Sequence, residues 1–496
     1  MSDIKAAIDG RNRFIFNVEY RFSRYNMNFR AFIAICAGKL VKLFCRIVHK
    51  GGTAKPGEIA LRIYPELLTV LAKDVKCTVI TGTNGKTTCT RIVEEGMHRA
   101  GLNCFANRSG ANLIKGIATD FIDNSSITGK CRYEYAVLET DEAASVKVCL
   151  QLQPAVIFVT NLFRDQVDRF GGVEHTRDCI RAAIKNSPSS VLVLNADCPV
   201  TASLAEGVPN RSVFYGFSAN AASKCGDPGV SDLKECINCG ESYEYAYKTF
   251  SHLGGFRCPK CGAARPAAQY EVTDITEQSL SGSEFTIRAA DTAASGTYAS
   301  AGTGSSAPRL RVNLPAIYNI YNGIGSYAAL RTAGADHTAA ADALAEFKSG
   351  FGRMESLAIG KKGGKMILVK NDAGCNQVLR FLRNVTEPFV LSLYINNNVS
   401  DGVDISWLKD AEFEILKESS VKKIFVSGMR IEETYARLSD AGIPEEMMEK
   451  QPDCPTLIKT LNGSEDAVFI MPTYTGMMES RAEIIKQCGG TEFWEG

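Results

Sequence analysis

Thr78-Val79-Ile80-Thr81-Gly82-Thr83-Asn84-Gly85-Lys86-Thr87-Thr88 runs from a β-branched apolar stretch through a tight glycine turn into Lys-Thr-Thr, ahead of a helical stretch at residues 91–100. A strand, a glycine loop and a helix N-terminus in that order make an anion pocket. The first turn of a helix leaves N–H groups unpaired and carries the positive end of the dipole. Lys86 would add a point charge, and the Thr87 hydroxyl can ligate Mg²⁺. Gly82, Thr83, Asn84, Gly85, Lys86, Thr87 and Thr88 are therefore expected to bind a nucleoside triphosphate. The general phosphate-loop pattern has about four residues between its glycines, whereas two separate Gly82 from Gly85. A chance match in a loop is the alternative, and the strand before and helix after speak against it.

A second group of residues points to a metal. Cys236-Ile-Asn-Cys239 and Cys258-Pro-Lys-Cys261 are separated by 18 residues, and each pair is followed by a glycine, Gly240 or Gly262. Two such knuckles read as a structural Zn²⁺ ribbon. Four thiolates fill a tetrahedral site and leave no position for water, so this metal would not be catalytic. Two reduced pairs without metal are the alternative. A redox site needs only one pair at a helix start. The insert carries Glu235, Glu241 and Glu244 and few basic residues, which suits a stabilising or docking role better than nucleic-acid binding.

The elements that must position these groups follow from length and pattern. A chain of 496 residues exceeds one ordinary core. Its 45% hydrophobic and 22% charged content is that of a soluble globular protein, and a net charge of +1 supplies no field for nucleic acid or anionic membrane. Most of the 17 cysteines stand singly in apolar runs, such as Cys77, Cys104 and Cys149, and no cleavable signal peptide is evident, so a reducing cytoplasm is expected. No apolar run is long enough to span a bilayer. Residues 31–48 carry Lys39, Lys42 and Arg46 on one helical face, with Phe32, Ile35, Leu40, Phe44 and Ile47 elsewhere. A helix packed on the domain edge is expected there, over one lying on a membrane.

Residues 135–139, 156–160 and 191–195 read as buried strands, and residues 176–185 as an intervening helix. This alternation predicts a parallel sheet covered on both faces, with ligands at the carboxyl ends of the strands. Residues 313–334 read as helix, and residues 289–307, mostly Ala, Gly, Ser and Thr, as a flexible loop. Strands at 390–394, 423–426 and 468–471 and a helix at 432–441 make a second α/β unit. The expected organisation is an N-terminal extension with its amphipathic helix (1–52), an ATP-binding domain (53–350) with the ribbon at about 218–268, and a C-terminal α/β domain (351–496).

Residues 81–88, with Glu139 and Asn161-Leu-Phe-Arg-Asp-Gln-Val-Asp-Arg-Phe-Gly171, resemble the central domain of the Mur ligases. Those enzymes use ATP to turn a carboxylate into an acyl phosphate that an amine attacks. Leu194-Asn-Ala-Asp-Cys-Pro199, the ribbon at the matching place, Gly352-Arg-Met-Glu355, Lys370-Asn371 and Asp401-Gly-Val-Asp-Ile-Ser-Trp407 extend the likeness over residues 30–485, to the family's MurT branch. The resemblance implies an α/β fold: a Mur-ligase-type central ATPase domain with a parallel sheet and an inserted four-cysteine zinc ribbon, then a C-terminal Rossmann-like domain that docks an amidotransferase. It implies ATP, Mg²⁺ and structural Zn²⁺ as cofactors. Lys86 would neutralise phosphate charge, and Thr87 and Glu139 would hold Mg²⁺ through hard oxygens, a strand-end surface carboxylate being the alternative for Glu139. The following Thr140-Asp141-Glu142 fits an acidic metal edge. Asn319 and Asn322 match positions near the base, with ordinary capping amides as the alternative. Arg353 matches an interdomain hinge arginine, with a solvated surface arginine as the alternative. Two departures stand out. Gln166 replaces the histidine that usually follows the aspartate at 165, which puts a second Mg²⁺ in doubt. Asp372 stands where the branch commonly has proline, for which the residues alone offer no reason.

The MurT branch takes ammonia as its amine, and its substrate is the D-glutamate α-carboxylate of the lipid II stem peptide, converted to D-isoglutamine. A glutaminase needs a nucleophilic Cys and a His base. None of His49, His98, His175, His252 and His337 lies in a recognisable nucleophile context with Cys. The resemblance therefore implies a separate GatD-like class I glutamine amidotransferase, forming a heterodimer at the inner, cytoplasmic membrane face, with no nucleic-acid partner. Asp404 matches the acid that would orient the partner's histidine across the interface, against an aspartate capping its own loop. A free-standing Mur or folylpolyglutamate-type ligase adding an amino acid is the rival reading; an NTPase-driven zinc-ribbon nucleic-acid binder is disfavoured by the charge.

Overall fold

The computed structural model describes residues 29–47, 53–107, 111–163, 172–226, 228–229, 231, 233–279, 282–289, 308–347 and 353–489. Branched apolar runs buried on both faces form the parallel strands β1 (Lys76–Thr81), β2 (Cys104–Ala106), β3 (Tyr135–Glu139), β4 (Val156–Val159), β5 (Val191–Asn195) and β6 (Ser212–Phe217). Helices between them cover the sheet. The ribbon hairpin, β7 (Glu244–Phe250) with β8 (Leu253–Arg257), forms its own two-stranded sheet.

The sheet then extends beyond the expected parallel strands. β9 (Tyr270–Ser279) pairs parallel with β6, but β10 (Gly282–Ala289) and β11 (Arg309–Val312) join antiparallel, giving nine strands in the order β11-β10-β9-β6-β5-β4-β1-β3-β2. Only residues 280–281 separate β9 from β10, and a parallel crossover needs about a dozen. The helix expected over 313–334 is Ile317–Ala333, because β11 takes residues up to Val312 and the backbone at Ala316 turns to φ 77°. Residues 290–307, most of the expected flexible loop, lie outside the described residues.

A second sheet holds β12 (Arg353–Leu357), β13 (Gly364–Ile367), β14 (Phe389–Tyr394), β15 (Val421–Ser427), β16 (Met448–Lys450) and β17 (Ala467–Pro472), in the order β12-β13-β17-β14-β15-β16. Only β12 is antiparallel to its neighbour. The N-terminal helix, Phe29–Ile47, packs on the edge of the first unit through Ala31, Ala34, Ile35 and Gly38. Lys39 donates to the Ile122 and Ser125 carbonyls, both at 2.7 Å, and Lys42 pairs with Asp123 at 2.8 Å.

Candidate nucleotide and metal sites

The glycine loop joins β1 to a 14-residue helix, Lys86–Arg99, which begins immediately after Gly85. No side chain caps this helix and no acidic residue lies in its first turn, so its N–H groups and dipole are left for an anion. Gly85 has φ 85°, and a Cβ there would meet Asn322 Oδ1 at 2.2 Å; a Cβ at Gly82, φ 124°, would meet Thr160 Oγ1 at 2.5 Å. Both glycines are thus required by conformation and by space. Neighbouring strand ends fix the loop: the Asn161 side chain accepts from Asn84 N at 3.0 Å and donates to Asn84 O at 3.1 Å.

Lys86 Nζ donates to Gly82 O at 2.6 Å and forms an ion pair with Glu142 at 2.8 Å. Thr87 Oγ1 donates to Glu139 Oε2 at 2.6 Å, so two hard oxygens from different elements converge as a Mg²⁺ site requires. Glu139 is held by Asn107, whose side-chain amide accepts from Glu139 N and donates to Glu139 O, both at 2.8 Å. Asn107 and the pairing of Glu142 with Lys86 were not found from sequence; Glu142 was read with Asp141 as a metal edge. The structure corrects that. Asp141 caps helix Glu142–Leu152, accepting from Ala143 N and Ala144 N, and Glu142 faces Lys86.

These groups line a cavity of about 580 Å³ between the two sheets. Thr83, Asn84, Gly85, Lys86, Thr88 and Glu139 form one wall with Asn319 and Asn322; Lys370, Asn371 and Asp401 contribute from the second unit. Asn322 donates to Asn319 Oδ1 at 3.2 Å, and Asn319 to Pro315 O at 2.6 Å. Asn319 therefore bonds to the backbone just before its own helix, which begins at Ile317 with no side-chain cap, while Asn322 also abuts Gly85. Arg353 opens β12 beside Met354, φ 60°, where a bulge breaks the register with β13; its side chain is outside the described atoms, as are Asp165 and Gln166.

Cys236, Cys239, Cys258 and Cys261 bring their sulfurs within 4.8 Å of one another. The Cys236–Cys261 and Cys239–Cys258 separations are 3.6 and 3.5 Å. A tetrahedron with Zn–S bonds of about 2.3 Å has S–S edges of about 3.8 Å, so the four sulfurs fit such an ion. Backbone N–H groups of Cys261 and Lys260 help hold the Cys258 thiol down at about 6, with the Cys261 bond the largest influence. None of the four lines the interdomain cavity.

Family models for the Mur ligase middle domain and the MurT ligase C-terminal region match residues 80–244 and 368–477. Among solved structures, a pseudomurein peptide ligase type C from Methanothermus fervidus superposes with a TM-score of 0.61 at 19% identity, covering 85% of this chain and 81% of that one. MurF from Thermotoga maritima in complex with ADP gives 0.57 at 14%, covering 86% and 84%. At such identities the likeness establishes the fold. A Streptococcus pneumoniae protein, the MurT subunit of a glutamine-hydrolysing lipid II isoglutaminyl synthase, is 32% identical over 464 residues, 92% of this chain and 97% of that protein. The chain belongs to the MurT family. A Staphylococcus aureus protein of the same name is 30% identical over 458 residues, 90% of this chain and 96% of that protein.

Membership of the MurT family makes the chain a ligase subunit, and the fold gives a reason for Asp372. Asn371 caps helix Asp372–Arg383 by accepting from Gly374 N at 2.8 Å, so Asp372 is the first helical residue. Proline is favoured at that position because its missing N–H would be unpaired there anyway. Aspartate is favoured by the dipole. The two residues are interchangeable for physical reasons.

Asp404 does not line the cavity. Its carboxylate accepts from Ser406 N at 2.8 Å and Ser406 Oγ at 2.9 Å, the loop-capping geometry that was the alternative reading. Asp401 is buried and accepts from Thr475 N and Thr475 Oγ1, both at 2.6 Å, tying this loop to the last helix. Around Asp404, the loops after β14, β15 and β17 expose Val399, Val403, Met429 and Tyr474. Among the described residues, two cysteine thiols lie against a histidine ring. Cys198 and His252 lie 3.5 Å apart in the core, where burial pushes the thiol up and pulls the imidazole down to about 3, so both are neutral at pH 7. Cys179 and His175 are 3.7 Å apart on one helix, with the thiol pushed up by burial and by Asp141. Neither pair is an activated thiolate.

Proposed function

We propose that this chain is the ATP-dependent amidating subunit of a two-chain enzyme acting on the lipid II stem peptide. The observation that carries the reading is the convergence of the uncapped helix N-terminus, Lys86 and Glu139, itself bonded to Thr87, on one interdomain cavity, in a chain that spans its MurT relatives nearly end to end. The substrate's D-glutamate α-carboxylate attacks the γ-phosphorus of ATP and ADP departs. Ammonia then attacks the acyl carbon, loses a proton and expels inorganic phosphate, leaving D-isoglutamine. Lys86 and the loop N–H groups stabilise charge on the transferred phosphoryl group. Mg²⁺ bound by Thr87 and Glu139 would supply further charge neutralisation, and Asn319, Asn322 and Arg353 bind the nucleotide. The test is amidation of lipid II by the chain purified with a class I glutamine amidotransferase, supplied with glutamine, ATP and Mg²⁺. Amide formation with an amino acid and none with glutamine or ammonium would favour a free-standing ligase instead.

Neither cysteine–histidine pair supplies an activated thiolate, and the lowered thiol of Cys258 belongs to the four-cysteine cluster, which supports ammonia arriving from that partner. We assign the apolar loop ends around Asp404 to its docking, with Asp404 turning from Ser406 to orient the partner's histidine. Asp404→Asn is expected to lower glutamine hydrolysis by the complex roughly a hundredfold or more while leaving ATP binding unchanged; a glutaminase rate equal to wild type would remove the assignment.

Four thiolates at tetrahedral spacing support a structural Zn²⁺ in the ribbon. One zinc per chain is expected by elemental analysis. Cys258→Ser should lose it and lower the melting temperature by about 5 °C or more. A metal-free wild-type protein of undiminished stability would contradict this.

A further inference from the structure

The nucleotide cavity adjoins a second cavity of about 650 Å³, and Phe250, Tyr318 and Gln377 line both. These three side chains form the neck between the two. The position of the neck is set from the phosphate end. Asn322 abuts Gly85 of the phosphate loop, and Tyr318 lies four residues earlier on the same helix face, about 6 Å along the axis. A ribose covers such a step between phosphate and base. Phe250 is tied to the same loop: its ring stacks on Phe163 at 5.5 Å and 13°, and the Phe163 N–H donates to Thr83 Oγ1 at 3.1 Å. A triphosphate seated on the loop therefore carries its base to the neck, where two aromatic rings offer flat apolar surface.

The polar edge of the base needs partners of its own. Asn319 and Asn322, the amides expected there from sequence, are engaged with Pro315 O and with each other. In the second cavity Lys224 is paired with Asp274 at 2.5 Å, Arg380 with Glu412, and Arg383 with Glu418 at 3.7 Å. Gln377 differs. It stands on helix Asp372–Arg383, three residues after Gly374 and six after Asn371, so one face of this helix follows the nucleotide cavity from Asn371 to the neck. It is half-buried, and among the described residues its side-chain amide bonds to nothing. Buried amides are normally hydrogen-bonded, so one that stands unpaired at the end of a ligand cavity is available to the ligand.

We infer that Gln377 reads the 6-amino edge of adenine. Its carbonyl oxygen accepts from the exocyclic N–H, and its NH₂ donates to the adjoining ring nitrogen, the side-by-side pairing that a primary amide makes with adenine. Phe250 and Tyr318 hold the ring and are indifferent to its substituents. The phosphates are held by the first α/β unit and the base is selected by the second, so both units must meet on one nucleotide. The inference rests on the ATP-dependent reading above and adds to it the residue that selects the base.

The experiment is calorimetric titration of the full-length chain, with Mg²⁺ and no carboxylate substrate, using ATP and purine riboside triphosphate, which differs only in lacking the 6-amino group. Wild type is expected to bind ATP roughly ten- to a hundredfold more tightly, because the analogue leaves the amide oxygen without its donor. Gln377→Leu should bring the ratio to within about twofold of unity, with an unchanged melting temperature. Gln377→Asn, which draws the same amide back by one methylene, should lose most of the preference. Tyr318→Leu should weaken both nucleotides by the same factor. A wild-type ratio near one overturns the inference. So does a Gln377→Leu chain that keeps the wild-type ratio, which would return base selection to Asn319 and Asn322. A wild-type chain that binds neither nucleotide overturns the ATP-dependent reading itself, and this inference with it.

Discussion

Lys86→Ala is expected to lower ATP-dependent amidation by about 10²–10³-fold, equivalent to roughly 3–4 kcal/mol of transition-state stabilisation. The ammonium is already aimed at the loop, donating to Gly82 O at 2.6 Å, and it also pairs with Glu142 at 2.8 Å. Both carboxylate and ammonium are largely screened from water, with side-chain exposures of 12% and 14%. Such a pair keeps the lysine oriented over its own loop until a triphosphate offers more negative charge. The lysine then exchanges one anion for another and does not have to be ordered from solvent. Because the charge on the γ-phosphoryl oxygens is redistributed in transfer, the loss should fall mainly on kcat and less on KM. Arginine should not rescue, since a planar fork cannot replace a compact ammonium folded back on its own loop. Single-turnover measurement of ADP formation, with a melting curve to verify folding, is the check. A kcat within threefold of wild type would mean that phosphate binding rests on the helix N-terminus alone. Glu142→Gln should have a smaller effect, because it removes only the resting partner.

What could be read in advance was local. The phosphate loop announces itself because strand, turn and helix start are contiguous, and their residue types are dictated by φ at Gly82 and Gly85 and by the helix terminus. The cysteine knuckles are legible for the same reason, each ligand pair being spaced by a single turn. Contacts between distant segments left no such mark. Glu142 meets Lys86 across 56 residues and Asn107 meets Glu139 across 32, and neither partner's type is unusual for its place. The antiparallel extension was missed because β9 holds only Val272 and Ile275 as aliphatic residues among Glu271, Asp274, Glu277 and Gln278, a half-exposed strand, whereas attention to buried runs finds strands covered on both faces. Asp372 was puzzling as a residue and ordinary as a helix position. The N-terminal helix is the most instructive case. Its apolar and basic residues were countable, but which apolar residues face the protein depends on Gly38, where a Cβ would come within 2.8 Å of Ile122 Cδ1, and that close approach cannot be seen in one strand of text.

Asp197→Ala is expected to destabilise the chain by about 3–5 kcal/mol, mainly because it removes the nearest counter-charge of a largely buried cation and leaves it only Glu271. Asp197 has no solvent exposure. Its Oδ1 receives Arg265 Nε at 2.5 Å, and its Oδ2 receives Phe217 N at 2.8 Å and the Tyr321 hydroxyl at 2.6 Å. Arg265 also donates to Phe217 O at 2.9 Å and reaches Glu271 at 3.3 Å. One carboxylate thus joins the end of the ribbon insert, the last residue of β6, and the helix that carries Asn319 and Asn322. Removing it leaves a guanidinium that is only 14% exposed without its nearest carboxylate and a buried N–H without an acceptor, while the Tyr321 hydroxyl keeps Thr249 Oγ1 at 2.8 Å. The space around it is closed as well, since a Cβ on Gly216 would meet Asp197 Oδ1 at 2.6 Å. The double variant Asp197→Ala, Arg265→Met should recover part of the stability, because the orphaned charge goes with its partner, and the coupling between the sites should be at least about 1 kcal/mol. Tyr321 is the neighbour of Asn322, so Asp197→Ala should also weaken nucleotide binding severalfold under conditions where the protein remains folded. Urea unfolding of the two single variants and the double, alongside nucleotide titration, tests the argument. A single-variant destabilisation below about 1 kcal/mol, or strictly additive effects, would show that water or Glu271 compensates the arginine and that the ribbon is tethered by some other interaction.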